Sequence, residues 1–234
     1  MDFLDAYEMR ARIAPTIVVF LPITITASLI IGSITKPLNG YISGGILFFA
    51  LVYALSHFVR QLGKNIEDSL WQKWDGPPST RFLRWRDIYI GFDVKNQLHA
   101  LVESKCGIKL HSKEDEEAFP READEKIEQA FFKVKGIVRK NDASGLWNKH
   151  NAEYGFLRNL LGSRMVWLLT SLVCLIASCG YFHFGQKGSI ILSIVINASF
   201  CLISLLSGWI FLPKAVRDSA DRYADSIWNT FLIL

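Results

Sequence analysis

What the 234-residue chain lacks narrows its chemistry quickly. Its five histidines are scattered and form no HExxH zinc motif. No GxSxG sets up a nucleophile elbow, and neither a Walker loop nor a GxGxxG turn is present to cradle phosphate. Nothing is laid out for catalysis, so the chain reads as a non-enzyme that needs no cofactor. The four cysteines include no CxxC pair, which leaves neither a disulfide framework nor a zinc or other metal site to expect. No stretch sustains a two-residue alternation, which removes the usual signal for strands, and no internal repeat is evident.

The most informative absence is of charge. Residues 13–34, 42–59, 165–182 and 188–212 contain no Asp, Glu, Lys or Arg at all. Each run reaches the roughly 18–20 residues that cross about 30 Å of hydrocarbon at 1.5 Å per residue. Four such runs in a short chain predict an all-α integral membrane protein. Asp2, Asp5 and Glu8 spoil a basic n-region, and the first run exceeds an ordinary h-region, so it is expected to span rather than to be cleaved. The same lack of charge counts against a proton- or sodium-coupled transporter, which keeps ionisable groups near the midplane. His57 lies close to the end of its run and reads as interfacial.

What is present fixes a layout. Segment 1–59 carries an N-terminal stretch and the first hairpin of spans, 60–164 an insert, 165–212 the second hairpin, and 213–234 a tail. Of the 26 lysines and arginines, the short loops 35–41 and 183–187 hold only Lys36 and Lys187. The positive-inside rule therefore places both termini and the insert in the cytoplasm.

The insert reads as small and helical. Phe58, Leu62, Ile66, Leu70 and Trp74 keep an i, i+4 rhythm past the second span until "DGPPS" stops it. A helical pattern follows within 88–104, and "HSKEDEEAFP" reads as a loop. Pro120 then opens a helix whose stripe is Ile127, Phe131, Val134 and Val138, ending near "NDASG". The tail is amphipathic, with Val216, Ala220, Tyr223, Ile227 and Phe231 on one side. Its polar side is acidic, which favours packing on the insert over lying on anionic lipid.

Two sets of residues carry functional expectations. Within the spans, Thr24, Ser28, Ser193, Asn197 and Ser204 recur at helical spacing. They suit either close helix contacts or an uncharged polar pore lining, and the latter requires a homo-oligomer because four helices enclose too little space. In the insert, 76–110 holds six basic against three acidic residues and 111–128 holds three against eight. Arg81, Arg84 and Arg86 interleave with Phe82 and Trp85. Guanidinium beside aromatic rings suits a nucleotide or short single-stranded DNA, and equally suits lipid headgroups or ion pairs with the 111–128 acids. Before the third span, Asn151, Gly155, Arg158 and Gly162 form one stripe opposite Phe156, Leu157, Leu160 and Leu161. The glycine side admits close approach of a backbone or a ligand. Arg158 is then either a membrane-anchoring side chain or, in an oligomer, part of a ring at the cytoplasmic mouth open to an anion.

The two hairpins, the helical insert, and the stretches "GPPSTRFLRWRD" and "NAEYGFLRNLLGSR" together resemble the small membrane effectors of bacterial antiphage systems, the Hailong channel effectors among them. The resemblance implies an ion channel of the bacterial inner membrane, a tetramer, that depolarises an infected cell. It also implies a cognate nucleotidyltransferase whose short deoxyadenylate product holds the channel shut. Effectors of cyclic-oligonucleotide systems share the layout but are opened by their ligand, and the sign stays open. The expected function is thus a ligand-gated, pore-forming homo-oligomer; the alternative is a non-conducting membrane scaffold that docks a protein partner through its insert.

Overall fold

A computed structural model describes residues 6–34, 37–141, 144–183 and 188–234. Asp2, Asp5, Lys36 and Lys187, used in the topology argument, lie outside the described residues. Those described are helical with no strand among them. The chain divides into two units, Met1–Glu67 with Ala152–Val216 and Asp68–Asn151 with Arg217–Leu234.

The first unit begins with α1 (Ala6–Glu8), a π-helical turn at Met9–Ile13, α2 (Ala14–Ile34) and α3 (Pro37–Asn65). Four of the described helices are long and apolar enough to cross a membrane, the pattern of a multi-pass membrane protein. α2 runs through Pro22 and is the best buried of the four, packing on α3 and on the hairpin of α10 (Arg164–His183) and α11 (Gly188–Leu206). Helices meet closely where side chains are small, as lipid offers no hydrophobic drive to bring them together. Gly44 of α3, for example, lies so near Ser28 of α2 that a methyl group would collide with its hydroxyl. A second π-helical turn, Ser207–Phe211, leads from α11 into α12 (Leu212–Ile233).

The i, i+4 rhythm after the second span is interrupted once. α3 ends at Asn65, Ile66 is a turn, and α4 (Glu67–Lys73) begins with a glutamate held by side chains of α9 (Leu146–Gly162). Those bonds offset the turn of backbone ladder lost at the break. Segments 60–67 and 152–164, grouped with the insert by sequence, belong to the membrane unit. The reason is backbone contact between α3 and α9: a Cβ on Gly162 would sit 2.5 Å from the Leu62 carbonyl and 2.6 Å from the Gly63 Cα.

The second unit is built of helices with no strand among its described residues, as expected. α5 (Pro78–Arg81) starts on a proline whose missing N–H costs nothing at that position. α6 (Phe92–Cys106) ends on Gly107 at φ +65°, the left-handed cap that glycine adopts freely. The stretch "HSKEDEEAFP", expected as a loop, contains α7 (Lys113–Ala118). Ser112 Oγ accepts from the Asp115 N–H at 3.1 Å, and three acids in the first turn favour the helix dipole. α8 (Pro120–Asn141) opens on Pro120 and buries Ile127, Val134 and Val138.

The tail packs on these helices. Ala224, Ile227, Trp228 and Phe231 join Phe82, Leu83, Leu98, Val102 and the α8 stripe in one apolar core. Burial of each large side chain there is worth about 1.5–3 kcal/mol. Trp228 keeps its polar edge satisfied, its Nε1 donating to the Ser79 carbonyl at 3.0 Å.

Candidate functional site

Three polar assemblies stand out, and each contains residues singled out by sequence. The first surrounds Arg158 in the membrane unit. Its Nη1 donates to Glu67 Oε1 at 2.7 Å, while Nε and Nη2 reach Asn159 Oδ1 at 3.3 and 3.2 Å. Tyr154 donates to the same Glu67 oxygen at 2.8 Å, and its ring lies 5.4 Å beneath the guanidinium. Asn159 in turn donates to the Ala11 carbonyl at 2.7 Å. Ala11 sits in the first π-helical turn, Met9–Ile13. The second π-helical turn is used in the same way, Arg164 Nη1 reaching the Gly208 carbonyl at 3.3 Å with its guanidinium 4.9 Å from the Trp209 ring.

The glycine side of the Asn151–Gly155–Arg158–Gly162 stripe therefore admits close approach of the chain's own helices. Gly155 faces Ala11 and Gly162 faces Gly63. Arg158, with a side chain only 9 % exposed, has its fork of donors engaged within the chain. An anion at this position would have to displace Glu67.

The second assembly is the turn "RFLRWRD" of the insert. Arg84 is buried and bidentate to Asp124, Nε to Oδ1 and Nη2 to Oδ2 both at 2.7 Å. Its Nη1 donates to the Asp75 carbonyl and to Asp75 Oδ2 at 3.0 Å. Gly76, at φ +104°, lies against this guanidinium; a Cβ there would meet Nη2 at 2.6 Å. Arg81 pairs with Asp87 at 3.3 Å. Arg86, the most exposed of the set with its side chain at 40 %, contacts Glu116 and Asp124 at 3.3 and 3.4 Å. Of the three readings the sequence allowed, ion pairing with the 111–128 acids is the geometry found for Arg84 and Arg86.

Two residues that sequence reasoning passed over hold this turn. Buried Glu116 accepts the Trp85 N–H at 2.9 Å and the Arg86 N–H at 3.3 Å. Buried Lys95 donates to the Arg84 carbonyl at 2.6 Å and to the Asp87 carbonyl. Burial pushes the Lys95 pKa down, against the opposing pull of Asp87 and Glu116. Trp85 donates through Nε1 to the His111 carbonyl at 2.9 Å, and its ring packs on His99 and Phe92. Burial likewise lowers the pKa of His99, whose Nε2 bonds the Leu83 carbonyl at 3.0 Å. One edge of Trp85 opens on a groove of about 550 Å³ whose lining mixes Lys109, Lys126, His99 and His111 with the carboxylates of Glu103 and Asp115.

The third assembly holds the span hydroxyls and amides. Asn197 of α11 donates to Thr26 Oγ1 of α2 at 2.8 Å and to the Ser193 carbonyl at 2.9 Å. Ser178 of α10 and Ser193 share a 2.8 Å hydrogen bond. Asn197, Ser193, Ser178 and Ser204 are fully buried. Thr24 is buried and bonds the Leu21 carbonyl, and Ser28 bonds the Thr24 carbonyl. Thr24 and Ser28 border a cavity of about 300 Å³ with Tyr41, Gly44 and Phe48. Of the five predicted lining residues, Ser193 and Asn197 bond across helices, Thr24 and Ser204 are buried, and half-buried Ser28 lies against Gly44 of α3. Asn197 Oδ1 is buried with no hydrogen-bond partner.

Among the described residues, no group of three or more His, Cys, Asp or Glu is arranged to hold a metal ion. Compared with protein families, curated proteins and solved structures, the chain matches none at a significant level.

Proposed function

We propose that the protein is a homo-oligomeric membrane channel whose cytoplasmic insert controls opening, acting as a pore-forming effector of bacterial antiphage defence in the inner membrane. The observation that carries this reading is the composite core of the insert. Residues 68–151 and 217–234 fold as one body although α10 and α11 lie between them in the chain. Two crossings between its halves support one side of the membrane for insert and tail alike, and the lysine and arginine bias supports the cytoplasmic side. The chain passes between units at 67/68, 151/152 and 216/217. A ligand that favours one state of the insert thereby has three covalent routes to the membrane helices, and it shifts the equilibrium only by its difference in affinity between states.

The ligand class proposed is a nucleotide or short single-stranded DNA, made by a cognate nucleotidyltransferase. Arg86 and Trp85, together with Lys109 and Lys126 of the adjoining groove, are the groups best placed to meet it. Arg81 and Arg84 act from beneath by fixing the turn. Reconstitution of the full chain in a planar bilayer tests the proposal. Stepwise currents whose open probability changes with short oligodeoxyadenylates, less so as salt is raised, are expected. A bilayer silent under every ligand condition overturns the channel.

A second reading, a non-conducting scaffold that docks a protein through the insert, has its own observation. Ile88 is 96 % exposed, and Phe92 and Phe119 are more than half exposed on the same unit. A silent bilayer with a partner protein retained on Ile88 and lost on Ile88→Asp favours it.

A further inference from the structure

The outward faces of the membrane helices differ in chemistry. α10 exposes Leu172, Val173 and Ile176, and α11 exposes Ile191, Leu192 and Val195, surfaces that acyl chains cover without loss. α3 is different. Ile46, Ala50, Tyr53, His57, Gln61 and Lys64 are all exposed and fall within an arc of about 80° at 100° per residue. The stripe begins aliphatic and becomes progressively polar, and α3 runs unbroken beneath it.

Tyr53 is the decisive residue. It is 82 % exposed, yet it lies six residues inside the end of the charge-free run at Val59, a depth of about 9 Å. Its hydroxyl has no hydrogen-bond partner among the described residues, and hydrocarbon offers none. Polar groups at such depth face other protein or water, whereas anchoring tyrosines sit at headgroup level. Of the residues expected to line a pore, Thr24, Ser193, Asn197 and Ser204 are buried and Ser28 is half-buried, whereas Tyr53 and His57 are large polar side chains that α3 offers outward to a neighbour.

We propose that the outer face of α3 packs against a second copy of this chain, and that α3 helices of neighbouring copies line the aqueous path with Tyr53 and His57; the lining role rests on the channel reading, the copy-to-copy face does not. A second copy is the fitting occupant because it brings the same hydroxyl, imidazole and amide to the same depth. Symmetric copies then satisfy one another's polar groups.

The test uses the full chain in native membranes with benzoylphenylalanine in place of Tyr53, Gln61 or, as the lipid-facing control, Leu172. Photocrosslinking into dimers and higher ladders several-fold stronger at 53 and 61 than at 172 is expected. Crosslinks at 172 but not at 53, or none at either, overturn the proposal. In planar bilayers, a methanethiosulfonate cation is expected to cut the current several-fold in H57C and to leave L172C as it leaves the unsubstituted chain. Currents equally insensitive in H57C and L172C overturn the lining role and leave the channel standing. Crosslinks at 53 with silent bilayers uphold the copy-facing surface and overturn the channel.

Discussion

Arg158 shows how a lone charge is kept at the threshold of a membrane helix. With Glu67, Asn159 and Tyr154 around it, the guanidinium exchanges water for fixed partners, and the pair ties Glu67 to α9. Removing one member of such a buried pair strands the other. Arg158→Met and Glu67→Met are each expected to cost about 3 kcal/mol. The double variant is expected to lose less than the sum, with a coupling of about 1–3 kcal/mol. Thermal unfolding in detergent reads both; additive losses would show that the two side chains do not interact. The partner was within reach of sequence reasoning. Arg158 stands seven residues before the third charge-free run and Glu67 eight after the second, so both lie about 11–12 Å from a span end. Lys95 and Glu116 gave no such signal: each looks like part of a solvated face until the turn they hold is built.

At the level of elements, the glycines of α9 and α3 decide how closely the two helices cross. Gly162→Ala drives a methyl into the backbone of Leu62 and Gly63, which has no rotamer with which to yield. Overpacking of this kind costs about 1–3 kcal/mol. Gly136 in α8 faces open space, so Gly136→Ala is expected to stabilise by about 0.5–1 kcal/mol through helix propensity alone. Opposite shifts of the two melting temperatures in detergent check the contrast. The lack of charge located the four spans, and helical periodicity located α8 and the tail because each of those two has one strongly apolar stripe. α7 escaped, although Ser112 and Asp115 form a capping pair, because charge density alone suggests a loop. The span hydroxyls were legible as a row but not as facing inward, since spacing gives a stripe and only packing gives the direction in which it points.

On the scale of the whole molecule, the insert depends on a segment that follows the last span. Trp228 is completely buried in a core that Ala224, Ile227 and Phe231 of the tail share with residues before the second hairpin. Trp228→Ala is expected to destabilise the insert by about 3–5 kcal/mol. Limited proteolysis of membranes checks this: cleavage within 68–151 should rise sharply, while the membrane helices stay protected. Unchanged cleavage would mean that 68–151 stands without the tail.

That split core has a bearing on biogenesis. A ribosome delivers residues 68–151 long before 217–234, and the stretch between them must be threaded through lipid and back. Until the final turns emerge on the proper face, the nascent body has a gap where an indole and a phenyl ring belong. A chain whose second hairpin stalls, or inserts with the wrong polarity, cannot close that gap and stays open to quality-control proteases. Completion of this second core thus reports that the last two passes succeeded.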